Sequence, residues 1–455
     1  MPTPRYIRAS VALVAALVVT GGGVAGQAAN AAAPDPTVAT AATAPTTPDL
    51  TDDMIAVPTT PVTAPHLHAE AVEVTTREAA VMEQTAAAAA APQGSTKPAA
   101  TAPVAVVHQV SVSIATVTAT TADDAATPPD DASVTAAIQQ LHDFWWEESG
   151  GTVDVQLGGI ERTSLAKTTC DPSAVLDTVH TTAFGGAFAS YRWAGTDRHL
   201  LVLTRETCGS SAFATVGGGG GEIFSSVGTD AALGVPVLMH ELGHNLGLGH
   251  AGAGMCRSST AVDAPLSSYA HTTDTNASVA CPVEEYGDFL DIMGYSVSGA
   301  RPHLSAPQRL RAGFQVDATT LREPGSRQQV TVGALDGAAT ATGRAVQVVD
   351  PLSGDTYWVE YRTASGRDAT SAEFRGATPR CSSLDAKLVR CALNGDRAVG
   401  EVRVLRAMPL FGSAVSTAVV AAGPVKAGDL TRRDTHLDAG EIGRASCRER
   451  VYARV

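Results

Sequence analysis

Aromatic and charged side chains are scarce in this sequence. Aromatic residues make up 5% and charged residues 17% of its 455 positions. A folded core needs large apolar side chains, so the few that exist must be concentrated in part of the chain. They lie in its middle and C-terminal parts, which are therefore the parts that we expect to fold.

Basic residues are also few. The chain has 32 Lys and Arg against 46 Asp and Glu, which gives a formal net charge of -14. No stretch supplies the basic face that nucleic-acid phosphates require, so we exclude nucleic acid as a partner. Almost all of the basic residues are arginine, a bias that we interpret as codon usage in a GC-rich genome and that favours a bacterial source.

Apolar runs long enough to span a membrane are missing too. The run at residues 11–19 is about half of the ~20 residues that a spanning helix requires, so we expect no membrane span. The run follows Arg5 and Arg8 and precedes Ala29-Asn30-Ala31, whose small residues fit an Ala-x-Ala cleavage site. Residues 1–31 are thus predicted to be a secretory signal peptide, and the mature protein to be extracellular.

The next segment, residues 32–102, lacks cysteine and any apolar periodicity. It consists mainly of Ala, Thr, Pro and Val, and cannot bury enough apolar surface to offset its chain entropy. We predict a disordered pro-region or linker. Without cysteine it cannot supply a thiolate to a metal site, and its histidines, His66 and His68, are interpreted as solvated.

The chain has seven cysteines, an odd number for a secreted protein. Residues 441–451, EIGRASCRERV, resemble the translation of a common sequencing adapter, so residues 441–455 are predicted to be a sequencing artefact rather than an ordinary basic tail. Without Cys447 six cysteines remain, and these allow 15 connectivities. The simplest hypothesis, neighbour pairing, joins Cys170 with Cys208, Cys256 with Cys281, and Cys381 with Cys391.

Between these regions the pattern of apolar residues alternates between strand and helix. Segments in which β-branched residues alternate predict strands. Segments in which apolar residues recur at helical spacing, such as Val134, Ile138 and Leu141, predict helices. The glycine run at residues 217–221 lacks the ending of a phosphate loop, so we interpret it as a flexible loop beside an edge strand. The predicted order is strand 103–119, helix 133–148, strand 152–157, helix 172–184, strand 199–204 and helix 235–246.

This order predicts an α/β (α+β) domain with a mixed twisted sheet over residues 103–316. Beyond it, segments such as QQVTVGAL, TYWVEYRT and GEVRVLR alternate with turn residues. They predict a small all-β domain over residues 317–440.

The last predicted helix carries the sequence HELGHNLGLGH, residues 240–250. His240 and His244 are four residues apart and therefore project from one helix face. Gly247 can take a positive φ and turn the chain so that His250 returns as a third ligand. Three histidines plus water form an open zinc site of the catalytic kind, and Glu241 is positioned as the general base.

Downstream lies EYGDFLDIMGY, residues 285–295, in which Met293 and Gly294 fit the Met-turn that lies beneath such a site. Together with the histidine motif and with LSAPQ and AGF at residues 304–314, it resembles the gametolysin-like metzincins. This resemblance implies a secreted zinc endopeptidase that hydrolyses protein or peptide substrates, with Zn²⁺ on His240, His244 and His250. Phe314 stands where the family has tryptophan.

Tyr295 follows Met293 by two residues, a spacing at which tyrosine stabilises the oxyanion in other metzincins. Ordinary packing is the alternative for this side chain. The other histidines of the folded region lack ligand spacing, and His303 is interpreted as structural.

A different class of function is also open to this sequence. The chain could be a secreted binding protein of the cell surface, in which the β domain binds and the zinc site is vestigial or structural. Glu241 argues against that alternative, because a purely structural site needs no base.

Overall fold

The structure is a computed structural model. It describes residues 15–18, 104–117, 128–165, 171–189, 195–204, 212–231, 234–254, 266–271, 281–284, 286–294, 299–321, 328–336, 343–349, 356–371, 374–375, 379–385, 388–393, 400–408, 415–420 and 452–454. Most of the predicted signal peptide, all of residues 32–102 and most of the predicted artefact lie outside these ranges. The domain boundaries therefore stay predictions.

Within the described ranges the chain combines helices with strands of both orientations, as the α/β prediction requires. None of these helices is long and apolar enough to cross a membrane. The helices are α1 (Asp131–Glu148), α2 (Pro172–Gly186), α3 (Gly234–Asn245) and α4 (Ala306–Arg311), with 3-10 turns at Leu266–Ser268 and Asp368–Thr370. The strands are β1 (Ala15–Val18), β2 (Val106–Val117), β3 (Val153–Leu165), β4 (Arg198–Leu203), β5 (Ala212–Ala214), β6 (Gly221–Ser225), β7 (His250–Gly254), β8 (Tyr269–His271), β9 (Cys281–Glu284), β10 (Ala318–Leu321), β11 (Gln328–Thr331), β12 (Ala345–Val349), β13 (Thr356–Thr363), β14 (Pro379–Asp385), β15 (Leu388–Leu393), β16 (Gly400–Ala407), β17 (Val415–Val420) and β18 (Tyr452–Arg454).

The first large sheet has five strands in the order β3-β2-β4-β6-β5. The first four are mutually parallel, and β5 is antiparallel to β6 at the edge, so the sheet is mixed as predicted. On β4, Leu201 and Leu203 face the core that contains α1 and α3, while Leu200 and Val202 face α2. Because both faces are covered, this strand is apolar throughout rather than alternating.

Helix α1 covers one face of this sheet. Asp130 caps its N-terminus by accepting a hydrogen bond from Ser133 N at 2.7 Å. The apolar positions predicted from helical spacing are buried, as are Phe144 and Trp145, which meet edge to face. Trp145 also contacts Phe314 edge to face with ring centroids 6.3 Å apart, so the phenylalanine that replaces the expected tryptophan still fills this core.

The second large sheet has eight strands in the order β10-β12-β13-β16-β17-β7-β9-β8. Three of them, β7 to β9, precede residue 317, and the other five follow it. The two halves join where β17 pairs in parallel with β7, which places Val415 opposite His250. The β-rich C-terminal region is therefore continuous with the strand on which the third predicted ligand lies.

Two smaller sheets complete the described structure. Strands β14 and β15 form an antiparallel pair in which Cys381 is the register partner of Cys391. Strand β1 lies between β11 and β18. Strand β1 lies within the predicted signal peptide and β18 within the predicted artefact, and both of these predictions remain untested.

Candidate metal site

The first two predicted ligands lie on α3, whose opposite side is packed into the core. Leu238, Met239 and Leu242 are buried there. The four-residue spacing brings the rings of His240 and His244 together on the other side, with centroids 4.8 Å apart. The core packing thus fixes the direction in which both imidazoles point.

The end of α3 directs the chain toward the third ligand. Gly247 has a φ of 91°, as expected for a glycine that ends a helix. Its N–H donates to His244 O at 2.9 Å, and the N–H of Leu248 donates to Gly243 O at 3.0 Å, which together form a Schellman motif. The chain then turns back, so that β7 begins at His250 beside the helix.

The three histidines converge. One nitrogen from each of His240, His244 and His250 lies within 4.8 Å of the others, so the group could hold a metal ion. His244 is buried, whereas the other two are partly exposed, so the site is accessible to solvent. Among the described residues no other cluster of this kind is found.

Hydrogen bonds to backbone carbonyls orient two of the rings. His240 Nδ1 lies 2.8 Å from Ile292 O, and His244 Nδ1 lies 2.8 Å from Leu248 O. A carbonyl can only accept, so Nδ1 carries the proton in both rings, and in the neutral imidazole Nε2 keeps its lone pair. This is the tautomer that a metal ligand requires, and the donor set fits zinc.

Glu241 lies beside the first ligand and is buried. Its Oε2 atom is shielded from solvent and has no hydrogen-bond partner. Burial raises the pKa of this carboxyl to about 8, because the charged form loses its hydration. A buried carboxyl oxygen without a partner is unusual in a purely structural role, so it fits a group that works on a bound water or substrate.

The segment of residues 286–294, here called the floor loop, lies beneath α3. Met293 is fully buried, and a Cβ atom at Gly243 would come within 2.5 Å of its sulfur, so glycine is needed at this point of the helix. Gly294 is equally constrained, since a Cβ there would lie 1.6 Å from Asp288 O. The assignment of this loop as a Met-turn stays a prediction.

Tyr286 is a residue that sequence reasoning assigned only to a family motif. Its ring lies against that of His250, with centroids 3.9 Å apart, and 5.9 Å from that of His240. Its φ is 60°, a left-handed conformation that is unusual for a bulky side chain. Such a conformation persists only where the surrounding structure holds it in place. In the sequence, only the following Gly287 and Asp288 of the family motif marked Tyr286.

The glycine run at residues 217–221 holds the C-terminal end of α3 and is not a free loop. Gly217 N donates to His244 O and Gly219 N donates to Asn245 O, both at 3.0 Å. A Cβ at Gly221 would lie 2.4 Å from the Asn245 side-chain nitrogen, which explains why glycine occurs there. The loop thus donates to the last carbonyls of the helix, one of which, His244 O, also accepts from Gly247 N.

Asn245 links this loop to two buried histidines of the five-stranded sheet. Its Nδ2 donates to Thr215 O at 2.8 Å, and its Oδ1 lies 3.0 Å from His199 Nδ1. His199 Nε2 in turn lies 3.1 Å from His108 Nδ1. Burial lowers the pKa of His199 to about 4 and also lowers that of His108, so this pair is neutral near pH 7.

Three further predictions concern residues away from the ligands. Tyr295 lies outside the described residues, so its role stays a prediction. His303 is buried and hydrogen-bonded to Glu148, which fits its interpretation as structural. Cys281 is disulfide-bonded, but Cys256 lies outside the described residues and their pairing also stays a prediction.

The part of the chain that builds this site is similar to a known family. Residues 106–251 match the model of the reprolysin-like metallopeptidases of family M12B. The match covers about a third of the chain and extends from β2 to just past His250, so it includes all three histidines and Glu241. It supports a zinc-dependent metallopeptidase that acts on proteins or peptides.

The other comparisons add no argument. No curated protein matches the chain. One solved structure that matches is of a chaperone-substrate complex, at 14% identity and a TM-score of 0.21, over 35% of this chain and 29% of that chain. The chain thus spans less than a third of that structure's chain, and a TM-score this low indicates nothing about fold or function.

Proposed function

We propose that this protein is a secreted zinc metalloendopeptidase of the metzincin type, similar to gametolysin. The observation that carries the proposal is the convergence of three imidazoles beside a buried glutamate whose Oε2 has no partner. The match of residues 106–251, which include these four residues, to a metallopeptidase family supports it as well. Secretion is proposed from the N-terminal sequence pattern alone.

In this proposal His240, His244 and His250 hold zinc through one nitrogen each. Zinc, when bound, polarises the scissile carbonyl and makes a water molecule acidic enough to attack it near neutral pH. The charge of zinc would favour the ionised form of Glu241 that burial alone disfavours, so that Oε2 can accept the proton of the attacking water and deliver it to the leaving amine. Ile292 O and Leu248 O keep the first two imidazoles in the ligand tautomer.

The five-stranded sheet offers a place for an extended substrate. In the described structure β5 is its terminal strand and is paired only with β6. The loop that follows β5 is bonded to the end of α3, so this edge runs toward the histidines. An extended peptide could add to such an edge through main-chain hydrogen bonds, with no requirement for a particular side chain.

The decisive experiment compares the full chain with its Glu241→Gln variant. We expect the zinc-loaded protein to cleave unfolded protein substrates and the variant to lose at least about 100-fold in kcat while it still binds zinc, because proton transfer typically contributes 10²- to 10⁴-fold. Glu222→Gln, a partly buried glutamate on β6, is the control and should stay active.

Two results would contradict the proposal. One is a wild-type protein that binds zinc but cleaves no unfolded protein, and the other is a Glu241→Gln variant with full activity. If removal of zinc by a chelator unfolds the protein and no peptidase activity is found, the alternative of a structural site in a binding protein is favoured.

A further inference from the structure

The floor loop is hydrogen-bonded to His240 and to Ala251, the residue that follows His250. Ile292 O accepts the Nδ1 proton of His240. Next to His250, Ala251 N donates to Met293 O at 2.8 Å, and Asp288 N donates to Ala251 O at 3.1 Å. A displacement of the floor loop would therefore turn the His240 ring and shift the start of β7 at the same time.

The floor loop is itself held by a cation from the C-terminal β region. Arg403 on β16 has only 1% of its surface exposed, and its guanidinium donates to the Asp288 carboxylate and, at 3.4 Å, to Leu290 O. The other Asp288 oxygen accepts from Leu290 N at 3.0 Å. One guanidinium fork thus fixes both ends of a three-residue turn in the loop.

A second carboxylate, that of Glu360, also pairs with the Arg403 guanidinium. Glu360 on β13 is the register partner of Arg403, and its Oε1 lies 3.3 Å from Arg403 NH1. Burial would raise the pKa of Glu360, but Arg362 and Arg403 outweigh it and lower that pKa, so the group stays ionised. Arg403 is therefore a buried cation held between two buried carboxylates, one on a strand and one on the floor loop.

We propose that Arg403 is a positioning residue of the metal site, and that the C-terminal β region completes the site rather than forming an independent module. The ladder between β17 and β7, which places Thr417 opposite Ala251, supports the same strand from its other edge. This inference rests on the metal-binding part of the proposed function. It does not require peptidase activity.

The test measures zinc affinity by competition with a chromophoric chelator, using the full chain. Loss of a group that orients metal ligands typically weakens metal binding about 10- to 100-fold, and we expect a loss in this range for Arg403→Met. Arg403→Lys keeps a cation for Asp288 but not the fork to Leu290 O, so its loss should be smaller. This milder variant also serves if Arg403→Met does not fold.

The control variant is Arg406→Met. Arg406 is an equally buried arginine on the same strand, and its guanidinium lies over the rings of Tyr269 and Tyr357. It tests whether any loss of a buried arginine weakens the site through stability alone. We expect its zinc affinity to stay within about threefold of wild type, well short of the range typical for groups that orient ligands.

The visible absorption of the cobalt-substituted proteins provides a readout that a general loss of stability does not change. We expect the bands of the folded Arg403 variants to shift, because the His240 ring and the strand at His250 take new positions, and those of Arg406→Met to match wild type. The inference is overturned if the folded Arg403 variants bind zinc and absorb as wild type does, or if Arg406→Met weakens zinc binding equally. A wild-type protein that binds no zinc would instead overturn the proposed function.

Discussion

Glu148, at the end of α1, offers the sharpest test of how this fold is stabilised. Its side chain is fully buried, and its carboxylate accepts hydrogen bonds from His303 and, at 3.1 Å, from Leu304 N. Arg309 NH2 lies 2.9 Å from the same carboxylate. The perturbation that we consider is Glu148→Gln, which keeps the size of the side chain and removes its charge.

The pKa of Glu148 gives the magnitude of the stability that its charge contributes. Burial would raise it, but the charges of Arg309 and His303 outweigh burial and lower it from 4.5 to about 2. At about 1.4 kcal/mol per pKa unit, this corresponds to about 3 kcal/mol of stability at pH 7. The same range, about 3–5 kcal/mol, is expected when one partner of a buried ion pair is removed.

The dependence on pH follows from the direction of each pKa change. A carboxyl whose pKa is lowered by folding contributes its full stability above pH 4.5 and loses it as the pH falls toward 2. Burial would lower the pKa of His303, but Glu148 and Asp368 outweigh it and raise that pKa. The contribution of His303 is therefore present below pH 6.5 and is lost as the pH rises through its raised pKa.

Urea denaturation of wild type and Glu148→Gln at pH 7 and pH 3.5 tests this reasoning. The difference in unfolding free energy should be about 3 kcal/mol at pH 7 and about 1 kcal/mol smaller at pH 3.5. The adjacent Glu147, whose side chain is 57% exposed, pairs with Arg367 at the surface, so Glu147→Gln should change stability by less than about 1 kcal/mol. Equal stability of wild type and Glu148→Gln at pH 7, or a difference independent of pH, would refute the argument.

Two further predictions concern the site itself. Gly247→Ala should destabilise the protein by about 1–2 kcal/mol, because alanine disfavours positive φ, and should also weaken zinc binding measured by chelator competition. Gly313→Ala is the control for the cost of positive φ alone, with a φ of 79° and no atom within 4 Å of the added Cβ, whereas the Cβ at position 247 would lie 3.0 Å from Gly217 O. It should lower stability without changing zinc affinity, and equal zinc affinity in both variants would contradict the role of Gly247. If Tyr295 stabilises the oxyanion, Tyr295→Phe should lower kcat about 100-fold with little change in KM, whereas unchanged turnover would assign Tyr295 to packing.

The convergence of the three histidines was predictable from the sequence because it depends on local geometry. Four-residue spacing on a helix places His240 and His244 on one face, and a glycine with positive φ determines where His250 returns. The core positions of α1 followed from helical periodicity in the same way. The mixed sheet and the β-rich C-terminal region also followed from the alternation of strand and helix patterns.

Contacts between distant segments were decided only by the tertiary structure. The ion pair of Arg403 with Asp288 joins residues far apart in sequence, and no local pattern distinguishes a buried arginine in a strand from an exposed one. The glycine run at 217–221 was interpreted as flexible because its partners, the last carbonyls of α3, cannot be identified from composition. The sequence by itself therefore determined which side chains can bind the metal, and the packing of the C-terminal strands against the floor loop decided what holds them in place.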